Sequence, residues 1–245
     1  MQSKAFLFAA LTAAALVAPA VSDAATVVVD HDEWTLSTTG FAQSPDAATF
    51  VQNLVNEFGT TIHAYSTNFG LNNTALSTAM ATAGATFSAG TGFAFTLANI
   101  VGFDAIMLGG NYLNATELAD LSAYVAGGGS VYIAGGTGIG GSLTEATAWN
   151  SFLAPFGIQM NGAGYDGVSG NLSVSGDALF AGVSTLYSNN GNALSGGSVV
   201  CCGDKGLYAV WRSEEGPAPV PLPASGVLLA GAVGAAAALR RRKRG

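Results

Sequence analysis

The chain has 245 residues, 49% of them hydrophobic and only 9% charged, with 34 glycines and a formal net charge of −7. That length carries one sizeable core, and a surface so poor in charge has to be built mainly of Ser, Thr, Asn and Gly. The charges are also segregated: outside the two hydrophobic ends, 1–24 and 220–245, 14 acidic residues face only Lys205 and Arg212, a net of −12. Such a surface repels nucleic acid and anionic lipid, which excludes both as partners; it suits divalent cations, a salty exterior or neutral glycans. Plain solubility outside the cell accounts for the same imbalance.

Residues 1–24 read as a secretory signal peptide. Lys4 supplies the charged start, Ala5 to Val17 the apolar stretch, and Ala18-Pro19-Ala20 or Ser22-Asp23-Ala24 the small residues of a cleavage site. Thr26 to Val29 is a short apolar run typical of a strand buried on both faces. Pro45 to Phe58 predicts a helix, with Phe50, Leu54, Val55 and Phe58 on one stripe and Gly59 at its end. Thr61 to Ser66 is the next strand, Asn73 to Ala83 a helix capped by Asn73 or Thr74, and Gly84 to Asn99 a strand plus loop.

Phe103 to Leu108 reads as a buried strand that turns at Gly109-Gly110-Asn111. Thr116 to Ala126 is a helix opened by Asn114 with Glu117 three residues on, the pattern of a capping box. Gly127-Gly128-Gly129 closes it, Ser130 to Ala134 is another strand, and a glycine loop leads into a helix from Leu143 to Phe156. Strand, helix and strand at this spacing make a βαβ crossover and so a parallel sheet. Beyond it the chain is more β-like, with short strands at 172–174, 198–201 and 207–211 and a turn-rich loop from Tyr187 to Asn192.

The unit from Phe103 to Gly138, FDAIMLGGNYLNATELADLSAYVAGGGSVYIAGGTG, resembles the flavodoxin-like sandwiches of the class I glutamine amidotransferase-like superfamily. The resemblance covers about Thr26 to Phe156 and implies an α/β three-layer sandwich around a mostly parallel sheet. Active members carry a Cys nucleophile at the strand-to-helix turn, where this chain has Ala134-Gly135-Gly136-Thr137. The only histidines are His31 and His63, so the usual downstream partner is missing as well. The resemblance therefore implies the fold without the amidotransferase chemistry.

Ligands of α/β folds sit at the carboxyl ends of parallel strands. Asp30, His31, Asp32 and Glu33 follow the first strand directly, and three carboxylates with an imidazole suit a divalent metal such as Ca²⁺ or general acid–base work. A loop this short cannot surround an ion alone, and a solvated acidic turn over Trp34 is the plainer reading. The glycines of Gly135 to Gly141 can cradle an anion on backbone N–H groups, but no basic residue accompanies them and tight strand–helix packing explains them. Cys201-Cys202 is the whole cysteine content; two thiols and a disulfide both remain open. His63 lies in a strand-like run and reads as a core histidine.

The end of the chain has three parts in order. Val220, Pro221, Leu222, Pro223 and Ala224 form a Pro-rich junction, 224–239 is an uncharged run of Ala, Gly, Val and Leu, and Arg240, Arg241, Arg242, Lys243 and Arg244 form a basic cluster. As a helix the run is about 24 Å long, at the short edge of a membrane span, and the cluster holds its far end on the cytoplasmic side. This arrangement resembles the VPLPA variant of the PEP-CTERM bacterial sorting signals. The resemblance implies an exosortase-type membrane protease as partner, after passage through the secretion machinery. It also implies delivery to the envelope or the extracellular matrix, often alongside extracellular polysaccharide.

The resulting expectation is a signal peptide at 1–24, an exported α/β domain at 25–213 with a more β-rich end, a linker at 214–219 and a sorting signal with a transmembrane helix at 220–245. The cargo reads as non-enzymatic and without cofactor. The alternatives are an exported hydrolase acting on glycans or peptides through the 30–34 loop, and a Ca²⁺-dependent adhesive module.

Overall fold

The computed structural model describes residues 24–136, 139–164, 166–202 and 205–213. The segments expected as signal peptide (1–24, apart from Ala24), linker (214–219) and sorting signal with its transmembrane helix and basic cluster (220–245) lie outside the described residues. Among the described residues no helix is long and apolar enough to cross a membrane.

The first half alternates strands and helices as the pattern predicts: β1 (Thr26–Asp30), α1 (Thr38–Gln43), α2 (Ala47–Phe58), β2 (Thr61–Tyr65), α3 (Thr74–Thr82) and β3 (Thr86–Ala89). The short α4 (Leu97–Ile100) then precedes β4 (Ala105–Leu108), α5 (Ala115–Ala126), β5 (Ser130–Ala134) and α6 (Ser142–Leu153). The expected helix to Phe156 ends three residues early in a 3₁₀ turn, Ala154–Phe156, because Pro155 has no N–H to continue the ladder. Asn73 caps α3 by accepting from the Leu76 N–H, and Asn114 and Glu117 form the full capping box on α5. The six-residue α1, capped by Ser37, was too short to show a period.

The second half supplies β6 (Gln159–Met160), β7 (Val168–Ser173), β8 (Thr185–Gly191), β9 (Leu194–Ser195), β10 (Val199–Cys201) and β11 (Tyr208–Arg212). Tyr187 to Asn192, expected as a loop, lies mostly within β8. Its Asn and Gly residues accommodate an irregular register against β7, and Asn190 takes a positive φ of 72°. β6 pairs with β9, and β7 with β8, as two small antiparallel ribbons.

The main sheet has seven strands in the order β10-β11-β1-β5-β4-β2-β3. β1, β5, β4, β2 and β3 run parallel, while β11 is antiparallel to β1 and carries β10 on its outer side. Side chains alternate between faces with period two. Val28, Met107 and Tyr132 join Phe50 and Leu54 of α2 and Leu76 of α3 in one core. Val29, Ile106 and Ile133 join Leu121 of α5 and Trp149 and Leu153 of α6 in the other. Each such buried side chain contributes about 1.5–3 kcal/mol. The result is a mixed α/β domain with a mostly parallel sheet covered on both faces and a β-rich C-terminal part.

Candidate functional site

The parallel strands β1, β4 and β5 end together, and the loop after β1 dives inward there. Asp30, His31 and Asp32 are all buried, so the solvated acidic turn is not what forms; Glu33 and Trp34 are half-buried. Backbone bonds hold the loop on both sides: Gly135 N–H donates to Asp30 O at 2.7 Å, His31 N–H to Leu207 O at 2.9 Å, and Asn192 N–H to His31 O at 3.0 Å.

Each side chain then reaches a different neighbour. Asp30 Oδ2 accepts from the Tyr132 hydroxyl at 2.9 Å. Asp32 accepts through Oδ1 from Trp34 N–H, and through Oδ2 from Asn189 N–H at 2.9 Å and the Ser188 hydroxyl. His31 Nδ1 lies 3.2 Å from Ala193 O, which makes Nδ1 the protonated nitrogen and leaves Nε2 a lone pair. The loop thus ties the β8–β9 region to the parallel sheet.

Glu145, which sequence reasoning did not single out, completes the group. It is fully buried on α6, its Oε2 accepts from Trp149 Nε1–H at 3.0 Å, and its Oε1 lies 3.0 Å from the Tyr112 hydroxyl. The readable signal was an acidic residue one turn before Trp149 on the face that carries Phe152 and Leu153 inward.

Burial sets the protonation of all these groups. Loss of water raises the Asp30 carboxyl well above its usual range, with the neighbouring Asp32 adding to the effect. The same desolvation pushes Asp32 up to about 7 and Glu145 up to about 8, against the hydrogen bonds they receive. His31 is driven the other way, down to about 4, so its imidazole is neutral. At neutral pH the site therefore holds carboxylic acids that can donate a proton as well as accept one. Three buried atoms here, Asp30 Oδ1, His31 Nε2 and Trp34 Nε1, have no hydrogen-bond partner among the described residues. Unmatched buried polar atoms cost about 1–3 kcal/mol each.

The glycine turn packs against this loop. A Cβ on Gly135 would lie 2.7 Å from His31 Cδ2, and one on Gly136 would lie 2.3 Å from Glu33 Oε2. Close packing accounts for both glycines, while Thr137 and Gly138 lie outside the described residues. Gly109-Gly110-Asn111 is likewise structural: Asn111 Oδ1 accepts from Thr67 N–H at 2.9 Å, and a Cβ on Gly110 would meet Asn68 at 2.6 Å. Cys201 and Cys202 are joined to each other as a disulfide at the end of β10, where Cys201 lies opposite Tyr208 of β11. His63 is a core histidine, bonded to Ser88 Oγ at 2.7 Å and Gly90 O at 2.9 Å. Among the described residues no three His, Cys, Asp or Glu side chains are grouped to hold a metal ion, Ca²⁺ included.

Compared with family models, curated proteins and solved structures, the chain matches none.

Proposed function

We propose that this chain is an exported bacterial envelope or extracellular-matrix protein. In this reading residues 1–24 direct it through the secretion machinery, the apolar run 224–239 holds it in the inner membrane with the domain outside, and an exosortase-type protease acts at 220–224. The domain, read as a flavodoxin-like three-layer sandwich, is cargo that does not catalyse. The observation that carries the reading is the fixed order of VPLPA motif, apolar run and basic cluster at the end of the chain. Two features support a non-enzymatic domain. Asp32 is committed to bonds that hold residues 188 and 189 in place. Gly135 and Gly136 stand where the resembling enzymes place a nucleophile.

Intact-mass spectrometry of protein from membranes and from culture medium tests the route. The released form is expected to lack the signal and the residues after about Pro223, and deletion of 220–245 to abolish membrane retention. An intact C-terminus in the medium, or unchanged fractionation of the deletion, would reject it.

His31 Nε2 favours one second reading, an exported hydrolase of glycans or peptides, because a buried lone pair without a partner is what a bound polar substrate or its water would meet. His31→Asn keeps a donor for Ala193 O and removes that lone pair. Hydrolysis of glycan or peptide substrates by the native protein, lost at least tenfold in the variant at unchanged melting temperature, would establish this reading. Equal rates would end it.

A further inference from the structure

We propose that the outer edge of β3 is a self-association edge, where two copies of this chain pair antiparallel about a two-fold axis at Ser88 and join their sheets. β3 is the end strand of the seven. It runs parallel to β2, and Thr86 N–H donates to Thr60 O at 2.6 Å and Gly90 N–H to Ala64 O at 2.9 Å. Alternation along a strand then turns the N–H and C=O of Phe87 and Ala89 outward, and no described residue bonds them. Thr86, Ser88 and Ala89 are exposed and Phe87 is half-buried. A Cβ added at the flanking Gly84, Gly90 or Gly92 would meet nothing within 4 Å, so the approach is open.

Charge selects the occupant. Outside its two ends the chain carries −12, and like copies repel over most of their surface. Phe58 to Phe103, which contains β2, α3 and β3, has no Asp, Glu, Lys or Arg. This is the one long stretch where a second acidic copy can approach without bringing carboxylates together. An oppositely charged partner would find nothing here to attract it. β3 is short, but TFSA carries none of the charges, Pro or bulge by which edge strands avoid pairing.

The pairing has a definite register. Phe87 exchanges both backbone bonds with the partner's Ala89, and Ala89 with the partner's Phe87. Ser88 then faces its own copy as a non-hydrogen-bonded pair, with Cα atoms about 4.5 Å apart. That separation is within the range a disulfide bridges, roughly 4.4–6.8 Å.

The test uses the full chain expressed in its native host with Ser88→Cys, run on a non-reducing gel. A disulfide-linked homodimer is expected. None is expected from Thr82→Cys, an exposed position on α3 away from the edge. Adding Ala89→Pro removes an outward N–H and no bond to β2, and should lower the cross-linked fraction at least tenfold. Sedimentation velocity of the unaltered full chain in detergent checks the same point without a substitution, with a dimer expected that Ala89→Pro dissociates. A monomer at all concentrations, cross-links from the Ser88→Cys chain to another protein, or equal cross-linking from position 82 would each overturn the proposal. A dimer insensitive to Ala89→Pro would do so as well, because association would then come from elsewhere in the chain.

Discussion

Tyr112 has one hydroxyl proton and two acceptors, Ile139 O at 2.6 Å and Glu145 Oε1 at 3.0 Å. If the shorter bond takes that proton, Glu145 must supply its own to the Tyr112 oxygen, which requires a neutral carboxylic acid. Ser188 differs: of its two acceptors Asp32 Oδ2 is nearer than Val168 O at 3.1 Å, so its hydroxyl proton goes to Asp32. Geometry and burial agree on a protonated Glu145, burial raises Asp32 as well, and the sign of the pH dependence follows. A carboxyl raised in the folded state contributes stability that is complete below its unfolded value and is lost as pH rises through the folded one. That window runs from about 4.5 to about 8 for Glu145 and from about 3.8 to about 7 for Asp32. His31 acts oppositely, its contribution being complete above about 6.5 and lost as pH falls towards about 4. Above pH 6.5 only the acids remain, so stability should fall by up to ~1.4 kcal/mol per pH unit for each acid still protonated only when folded. Melting curves between pH 6.5 and 8 should show this decline, and Glu145→Gln, which mimics the neutral acid, should flatten it. Identical slopes would mean that Glu145 is ionised in the fold.

Capping shows how a local rule acquires a tertiary role within an element. Asn114 serves only its own helix, accepting from Thr116 and Glu117 N–H groups at 2.9 and 3.1 Å. Asn73 caps α3 at 2.8 Å and also donates through Nδ2 to Leu36 O at 2.7 Å, anchoring the segment before α1. Asn114→Ala should cost about 1 kcal/mol and Asn73→Ala about 2 kcal/mol in denaturant unfolding; the reverse order would contradict this division of roles. Both caps were readable because they depend on residues three apart. The strands of the parallel sheet were readable too, since burial on both faces leaves runs such as VVV and SVYIA. β8 was not: its Asn and Gly residues look like a turn, and tertiary bonds, among them the pairing with β7 and the Asp32 bonds to residues 188 and 189, hold them extended. The site was legible in part for the same reason. Four of its residues adjoin in sequence, whereas Glu145, Tyr112 and Tyr132 reach it only through the crossover topology. The depth of Asp30 to Asp32 depends on β11, whose pairing across about 180 residues leaves no local trace.

That long-range pairing also determines when the molecule can close. The first described strand pairs with the last, Thr26 opposite Arg212 and Asp30 opposite Tyr208, inside the sheet and not at its rim. Tyr208 is fully buried, packs edge-on against Phe50 and Phe180, and shares a 2.9 Å hydrogen bond with Thr35. At the other end of β11, Arg212 forks onto Asp177 at 2.8 and 2.9 Å and also pairs with Glu57. Without β11 one side of β1 stays unpaired, β10 has nothing to join, and Asp177 loses the guanidinium that holds it below its usual range. Loss of so many buried groups exceeds the about 5–15 kcal/mol by which a domain is stable. A chain ending at Gly206 should therefore show no cooperative unfolding and no near-ultraviolet circular dichroism from its packed Tyr and Trp residues. A chain ending at Ser213 should keep both, with a melting temperature within a few degrees of the full chain's. The domain would then complete its sheet only once residues 208–212 are available to pair with β1. Protease resistance of the two truncated chains separates the outcomes: a compact, resistant chain ending at Gly206 would mean that the five parallel strands fold alone and that β11 is an addition to a finished core.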